Sequence, residues 1–122
     1  MKVNPDDFTE KAWQAIIDAK DLAISENHQT LETEHLLYSL IKKNEIIIRA
    51  IDRSGGSIKN LIIQTEEFIK DQPKMQKPQE SIFFGENISL SISKANNIKQ
   101  SFKDNFISSE HLVISLFDDE RI

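Results

Sequence analysis

The sequence predicts an all-α fold made of two tandem, pseudo-symmetric four-helix repeats, the second truncated after its second helix. Apolar residues recur every three or four positions along most of the chain, as they do on the buried face of a helix. No segment shows the convincing alternation of apolar and polar residues that is typical of a half-buried strand. One eight-residue pattern occurs twice, 76 positions apart, which indicates a duplicated structural unit.

The first two helices have recognisable start signals. Thr9 is a typical N-cap residue, and Phe8 and Trp13 are spaced around it as a hydrophobic staple. The buried stripe of this first helix consists of Ala12, Ile16, Ala19 and Ala23. The second helix is predicted over Thr33–Lys43, where one face carries Leu36, Leu37, Leu40 and Ile41.

Glycine and proline mark the ends of the next two helices. The third helix is predicted to end at Gly55-Gly56, where a glycine C-cap is expected. The fourth is predicted to begin near Ser57 and to end before Pro73. Residues 73–87 are interpreted as a linker because they hold two of the three prolines, and residues 82–84 within it are expected to pack back onto a helix.

The linker divides one domain, residues 1–122, into repeat one (8–72) and a partial repeat two (88–122). Helical spacing resumes in repeat two at Ile88, Ile92, Ala95, Ile98 and Phe102. The last helix is predicted from about Ser109 to Phe117.

The repeat is the most informative feature of the sequence. Thr33-Glu34-His35-Leu36-Leu37-Tyr38-Ser39-Leu40 aligns with Ser109-Glu110-His111-Leu112-Val113-Ile114-Ser115-Leu116, and the same offset places Phe8 on Phe84. Two such units can bury their apolar stripes against each other about a pseudo-two-fold axis, because neither unit can bury its stripe alone.

The offset also predicts how long an intact second repeat should be. The third helix of repeat one starts near Glu45, and its counterpart is Arg121. We therefore expect about 25 further residues in an intact domain of about 147. Without them, the apolar faces of Leu112 and Leu116 should be unusually exposed.

Composition excludes several classes of function. The 122 residues carry 15 basic and 20 acidic side chains, a formal charge of −5, without a run of three Lys or Arg, so nucleic acid is not an expected partner. No apolar run approaches the ~18–20 residues of a membrane-spanning helix, and the first residues lack the apolar core of a secretory signal. Cysteine is absent, which excludes a disulfide scaffold and a thiol nucleophile.

No catalytic or metal site is predicted either. The three glycines form no phosphate-binding loop, so this chain cannot bind ATP in the Walker manner. His35 and His111 each follow a glutamate, but neither has the second histidine four positions away that a metalloprotease helix needs. Both histidines are expected to pack at helix starts, and His28 is expected to be solvated. We therefore expect no cofactor in this chain and no enzyme activity of its own.

The duplicated unit resembles the N-terminal domain of the Clp-type AAA+ chaperones. Phe8-Thr9-Glu10-Lys11-Ala12-Trp13 and Thr33-Glu34-His35-Leu36-Leu37 match the first repeat of that family, and Asn105-Phe106-Ile107-Ser108-Ser109-Glu110-His111-Leu112 matches the second. Within the family, the stretch Phe68-Ile69-Lys70-Asp71-Gln72-Pro73-Lys74, followed by Ser81-Ile82-Phe83-Phe84-Gly85, is similar to the ClpB disaggregases of cyanobacteria and plastids.

The resemblance implies a mobile module that captures unfolded or aggregated polypeptide and passes it to a homohexameric, ATP-driven pore. ATP and Mg²⁺ would then bind in the parent protein outside this chain, and a co-chaperone is among the implied partners. The alternative is an adaptor-docking N-terminal domain of a Clp protease ATPase subunit. A third hypothesis, an all-α structural domain, requires that no Walker sequence follows. The plastid-like linker and the bias toward Ile and Lys favour the cytoplasm or an organelle lumen, with a preference for a plastid-type compartment.

The resemblance also implies five site residues. It assigns client handling to Thr9, Asp104 and Glu110, and an apolar groove to Ile92 and His111, although His111 is polar. The first three each have a local explanation as well. Thr9 is an N-cap, Asp104 lies in a turn that favours Asp-Asn, and Glu110 interacts favourably with the dipole at a helix start.

Overall fold

A computed structural model describes residues 3–76 and 82–117 of the chain. The helices in these ranges are a short 3₁₀ helix at Pro5–Asp7 and α1 Glu10–Ser25, α2 Thr33–Lys43, α3 Glu45–Arg53, α4 Ile58–Lys70, α5 Glu86–Ser101 and α6 Ser109–Leu116. The all-α class and the six predicted helices are confirmed. Part of the predicted linker and the last five residues of the predicted second repeat lie outside the described residues, so the repeat boundaries stay a prediction.

The predicted helix ends are confirmed where a side chain or glycine sets them. The Thr9 hydroxyl accepts a hydrogen bond from the Ala12 N–H at 3.2 Å, which satisfies one of the free donors at the start of α1. The Phe8 and Trp13 rings stack with centroids 5.6 Å apart, so the hydrophobic staple forms. Gly55 has φ 89° just beyond α3, the left-handed conformation that glycine adopts without steric cost.

The expectation of no strand was wrong in detail. Two-residue strands, β1 at Thr30–Leu31 and β2 at Phe83–Phe84, pair in parallel, and an isolated parallel bridge joins Phe8 to Ile107. Segments of two residues are too short to show a period-two pattern, so periodicity could not reveal them. Phe84 packs against the core, as expected, whereas Phe83 is exposed.

The pairings follow the pseudo-two-fold symmetry. Leu31 pairs with Phe84, and Phe8 pairs with Ile107. The offset of 76 makes Leu31 equivalent to Ile107 and Phe8 equivalent to Phe84, so the two pairs are equivalent. The segment before the first helix of each repeat therefore pairs with the segment before the second helix of the other repeat. The duplication is a crosswise one, in which neither repeat is complete without the other.

The main-chain hydrogen bonds beside these pairs repeat the symmetry. The N–H of Thr9 donates to the Ile107 carbonyl oxygen at 2.9 Å, and the N–H of Gly85 donates to the Leu31 carbonyl oxygen at 2.8 Å. Thr9 and Gly85 are equivalent positions, and each caps the first helix of its repeat. Both helices are thus fixed at their N-termini by the opposite repeat.

A single core lies between α1, α2, α5 and α6, and α3 and α4 pack on the outer side of α2. Its largest fully buried side chains include Ile16, Leu36, Leu40, Ile88, Leu112 and Leu116. Among the described residues, no helix is both long enough and apolar enough to cross a membrane.

The expected exposure of Leu112 and Leu116 was wrong, because both are fully buried. Instead, Ile114 on α6 and Phe117, the C-cap of this helix, are 45% and 52% exposed. Their counterparts on α2 are Tyr38 and Ile41. The Tyr38 hydroxyl reaches Glu66 on α4, so the α2 face that meets α4 corresponds to the open face of α6.

This assignment of faces predicts different costs for two substitutions in α6. Leu112→Ala removes a fully buried side chain and should lower the free energy of unfolding by about 2 to 5 kcal/mol. Ile114→Ala removes a half-exposed side chain and should lower it by less than about 1 kcal/mol. Urea unfolding of both variants provides the measurement. Equal losses would show that the inner face of α6 has been misassigned.

Candidate functional site

Three of the predicted site residues lie within three positions, along the sequence, of the Phe8–Ile107 bridge. Thr9 follows the bridge at the start of α1, and its N–H binds the Ile107 oxygen. Asp104 and Glu110 each lie three residues from Ile107, one in the α5–α6 connection and the other in the first turn of α6. The fold therefore brings the start of α1 to the α5–α6 connection, while the roles of the predicted site residues stay a prediction.

A groove of about 390 Å³ opens beside this bridge. Its apolar lining comes from Ile92 on α5 together with Phe8 and Ile107. Asp7, Asn96 and Asn97 supply polar groups on its wall. Its volume lies within the usual range of ligand sites, and the mixed lining suits a polypeptide better than a purely apolar molecule.

His111 is buried and hydrogen-bonded to Asp104, and neither residue lines the groove. The Ser108 main-chain N–H donates to His111 Nδ1 at 2.9 Å, so the ring proton resides on Nε2. That Nε2–H then donates to Asp104 Oδ2 at 3.0 Å, while the Asp104 side chain remains half-exposed. His111 therefore acts on the surface through Asp104, and its expected role in a helix-start contact is confirmed.

The first repeat contains the same arrangement with a different partner. The Glu32 N–H donates to His35 Nδ1 at 2.9 Å, and His35 Nε2 lies 2.8 Å from His28 Nδ1. His28 occupies the position equivalent to Asp104. The backbone agrees, since Asn27 and Lys103, which precede these two residues, both have φ 59°.

The expectation that His28 is solvated was wrong, because its side chain is only 2% exposed. Since Nδ1 accepts from His35, neutral His28 carries its proton on Nε2, for which no hydrogen-bond partner lies among the described residues. Burial lowers the pKa of His28 below its ordinary value, Lys74 lowers it further, and Glu26 opposes the shift. Sequence spacing could not reveal this burial because His28 follows a helix end.

A non-helical segment after α4 covers this part of the first repeat. The Gln72 side-chain amide donates to the Glu34 carboxylate. The Met75 N–H donates to the Asn27 carbonyl oxygen at 2.7 Å, and Lys74 forms an ion pair with Glu26 at 3.2 Å. Glu34 is consequently buried, whereas its counterpart Glu110 is exposed.

Phe102 is a surface residue that the sequence assigned to the apolar stripe of the fifth helix. It lies at the end of α5 and is exposed, with its ring 5.8 Å from the His111 ring. Phe106 is also exposed, so two aromatic side chains bracket Asp104 in the α5–α6 connection. Helical periodicity placed Phe102 one residue too far into the helix, because the cap cannot be located from spacing alone.

A second cleft, of about 490 Å³, lies between α1, the end of α2 and the start of α3. It contains Leu40 and the exposed Ile46, with Lys11, Asp18 and Lys43 around them. In neither described range do three or more His, Cys, Asp or Glu residues lie close enough to hold a metal ion. The chemistry that these surfaces offer is apolar contact and hydrogen bonding.

The family model for the Clp repeat (R) N-terminal domain matches residues 7–122. The chain belongs to this family. As a Clp N-terminal domain it is 42% identical over 121 residues to the chaperone protein ClpB of Prochlorococcus marinus, which covers 99% of this chain and 14% of that protein. It is 34% identical over 121 residues to the chloroplastic chaperone protein ClpB2 of Oryza sativa subsp. japonica, which covers 98% of this chain and 12% of that protein.

Solved structures agree on the fold of this Clp N-terminal domain. The Hsp104 N-terminal domain from Candida albicans matches with a TM-score of 0.88 at 23% identity, covering 94% of this chain and 76% of that one. The chain spans only 12–14% of the length of the two ClpB relatives. The predicted resemblance to the N-terminal domain of ClpB and the predicted fold are both confirmed.

The buried His28 predicts a loss of stability in acid. The unfolded chain binds a proton at His28 more readily than the folded chain, so the free energy of unfolding should fall as the pH drops below the ordinary histidine pKa of about 6.5. His28→Asn keeps an acceptor for His35 and removes the titration. Urea unfolding at pH 7.5 and pH 5.5 should therefore show a smaller pH effect in the variant. The same effect in both proteins would contradict the prediction.

Thr9 has a structural role that can be separated from binding. Thr9→Ala removes the cap of α1 and should lower the free energy of unfolding by about 1 kcal/mol. Thr9→Ser keeps the hydroxyl and should stay close to the parent protein. The two variants are compared by urea unfolding, and an equal loss in both would assign the effect to the methyl group instead of the cap.

Proposed function

We propose that this domain is the substrate-binding N-terminal module of a ClpB-type ATP-dependent protein disaggregase. It captures unfolded or aggregated polypeptide, which the hexameric ATPase of the parent protein then threads. The observation that carries this proposal is the exposed α5–α6 connection, where Phe102 and Phe106 flank Asp104 in the sequence, together with a groove of mixed polarity at Ile92. Misfolded chains expose apolar side chains, and these require such a surface.

The physical chemistry of the surface suits transient capture. Each client side chain the size of leucine contributes roughly 1.5–3 kcal/mol when it is fully buried. A shallow groove buries only part of such a side chain, so the affinity should be low and tolerant of sequence. Weak capture allows the client to be released to the pore.

The five site residues take different roles in this proposal. Ile92 provides apolar contact, while Thr9 fixes the start of α1 to the main chain at Ile107. Asp104 and Glu110 accept hydrogen bonds from the client. His111 is a positioning residue, because its Nε2–H orients the Asp104 carboxylate.

Several features of the parent protein belong to the same proposal. The parent is a homohexamer that binds ATP and Mg²⁺ outside this chain, and a co-chaperone is a further partner. The module itself, with repeats at 8–72 and 88–122 around a linker at 73–87, requires no cofactor and has no enzyme activity. The cyanobacterial and chloroplastic relatives support a location in the cytoplasm or in a plastid-type compartment.

The alternative is an adaptor-docking domain of a Clp protease ATPase subunit. The cleft at the start of α3 favours it, because Ile46 is exposed there within a rim of charged side chains. A folded adaptor would bind that cleft without using Asp104 or Glu110. Variants at the two surfaces therefore distinguish the two functions.

The proposal is tested by titrating the 122-residue chain with a fluorescent, permanently unfolded protein and with a folded control. The unfolded protein should bind and the folded one should not. Glu110→Gln and Asp104→Asn should each weaken binding by roughly two- to tenfold, because each replaces a charged acceptor with a weaker one.

Two matched variants serve as controls for this titration. Glu67→Gln removes an exposed carboxylate on α4 and should leave binding unchanged. Ile46→Ala alters only the second cleft and should also leave binding unchanged, so a loss of binding in this variant alone would place the client at that cleft and contradict the proposed surface. Equal binding of folded and unfolded proteins, or no binding by a folded domain, would overturn the proposal. Thermal melts of each variant separate a binding defect from unfolding.

A further inference from the structure

We propose that the segment over the first repeat is an acid-sensitive strap, which opens when the buried His28 takes up a proton. The strap consists of residues 72–75. When it opens, it uncovers the Glu34 carboxylate and the Asn27 carbonyl oxygen, so the first repeat presents these hydrogen-bond acceptors in acid alone. The inference concerns the first repeat and does not depend on the proposed function.

The strap is held by polar contacts. There are three of them: the Gln72 side-chain amide on the Glu34 carboxylate, the Lys74 ammonium 3.2 Å from the Glu26 carboxylate, and the Met75 N–H on the Asn27 carbonyl oxygen at 2.7 Å. Pro73, Lys74 and Met75 are all exposed, so the strap buries no apolar side chain as an anchor. Exposed ion pairs and single hydrogen bonds contribute little net stability, so a small change at their acceptors can open the strap.

His28 lies directly beside two of these acceptors. Glu26 and Asn27, which hold Lys74 and Met75, immediately precede it in the connection between α1 and α2. The His28 side chain is only 2% exposed. A movement of this ring out of its buried position therefore shifts the two residues that hold the strap.

The hydrogen bonds of the buried position require a neutral His28. His35 Nδ1 accepts from the Glu32 N–H at 2.9 Å, so the proton of that ring resides on Nε2. His35 Nε2–H in turn donates to His28 Nδ1 at 2.8 Å. A protonated His28 carries a hydrogen on Nδ1 as well, so two N–H donors would face each other across this distance. Protonation therefore breaks the bond and displaces the ring.

The charges around His28 favour the same change. The charged and titratable residues at the end of α1, at the start of α2 and on the strap are Glu26, Glu32, Glu34, His35 and Lys74. Burial lowers the pKa of His28, Glu26 opposes this shift, and Lys74 adds to it. An imidazolium repels Lys74 and attracts Glu26. Glu26 can thus exchange its contact with Lys74 for one with His28 when the strap opens.

The direction of the pH effect follows from proton linkage. In the closed state the pKa of His28 lies below its usual range, whereas in the open state the ring is solvated and has the ordinary pKa of about 6.5. The open state therefore binds more protons, and its population increases as the pH falls below about 6.5. One proton for each opening event gives an increase of at most about tenfold for each pH unit.

The Met75 amide reports the opening of the strap. Native-state hydrogen exchange of the 122-residue chain, followed by NMR and corrected for the intrinsic exchange rate at each pH, gives the opening equilibrium. The protection of Met75 should fall roughly three- to tenfold between pH 7.5 and pH 5.5. Low concentrations of urea should not change this protection, because local opening exposes little surface.

Two histidine variants identify the group that titrates. His28→Asn keeps an acceptor for His35 and removes the titrating ring, so the protection of Met75 should be nearly equal at the two pH values. His111→Asn changes the buried histidine of the second repeat and should keep the full pH effect. A pH effect that persists in His28→Asn, or that disappears in His111→Asn alone, would overturn the proposal.

The unaltered protein provides a test that needs no substitution. NMR signals of the His28 ring give its titration, and the midpoint should coincide with the loss of protection at Met75. A ring that titrates without any change at Met75 would overturn the proposal. Equal loss of protection at Met75 and at the fully buried Leu40 would also overturn it, because the effect would then be global unfolding.

Discussion

The crosswise main-chain pairing of the two repeats is the constraint on which the rest of the structure depends. Ile107 pairs with Phe8, and Leu31 pairs with Phe84, so each repeat fixes the first helix of the other at its N-terminus. These pairs place the start of α1 beside the α5–α6 connection. The proposed site, which combines Thr9 with Glu110 from opposite ends of the sequence, depends on this exchange.

The two repeats share a backbone but differ in what covers them. In the first repeat the segment after α4 binds Glu34, and His28 is buried as the partner of His35. In the second repeat Asp104 takes the place of His28 and remains half-exposed. Among the described residues, the acceptor Glu34 of the first repeat is therefore buried beneath a segment, whereas Asp104 and Glu110 of the second repeat are exposed.

The sequence predicted the helices and the duplication, because helix caps and apolar spacing are local signals. Thr9, Gly55 and the apolar stripe of α2 behave as expected. Apart from Phe102 at the cap of α5, the failures involve contacts between segments that are distant in the sequence. The strands are too short for a periodic signal, and the faces of Leu112 and Leu116 depend on which helices pack on α6. The candidate site residues were inferred by resemblance. The sequence could not show that Glu34 is covered, because its partner Gln72 lies 38 residues away.

Amide hydrogen exchange of the 122-residue chain, with and without a permanently unfolded client, shows directly which surface the client protects. We expect slower exchange at residues 102–111 and beside Ile92, with no change in the segment 72–75 that covers the first repeat. Protection confined to the cleft around Ile46 would contradict it, because that result would place the binding surface on the first repeat. A client that binds without protecting residues 102–111 would contradict it equally.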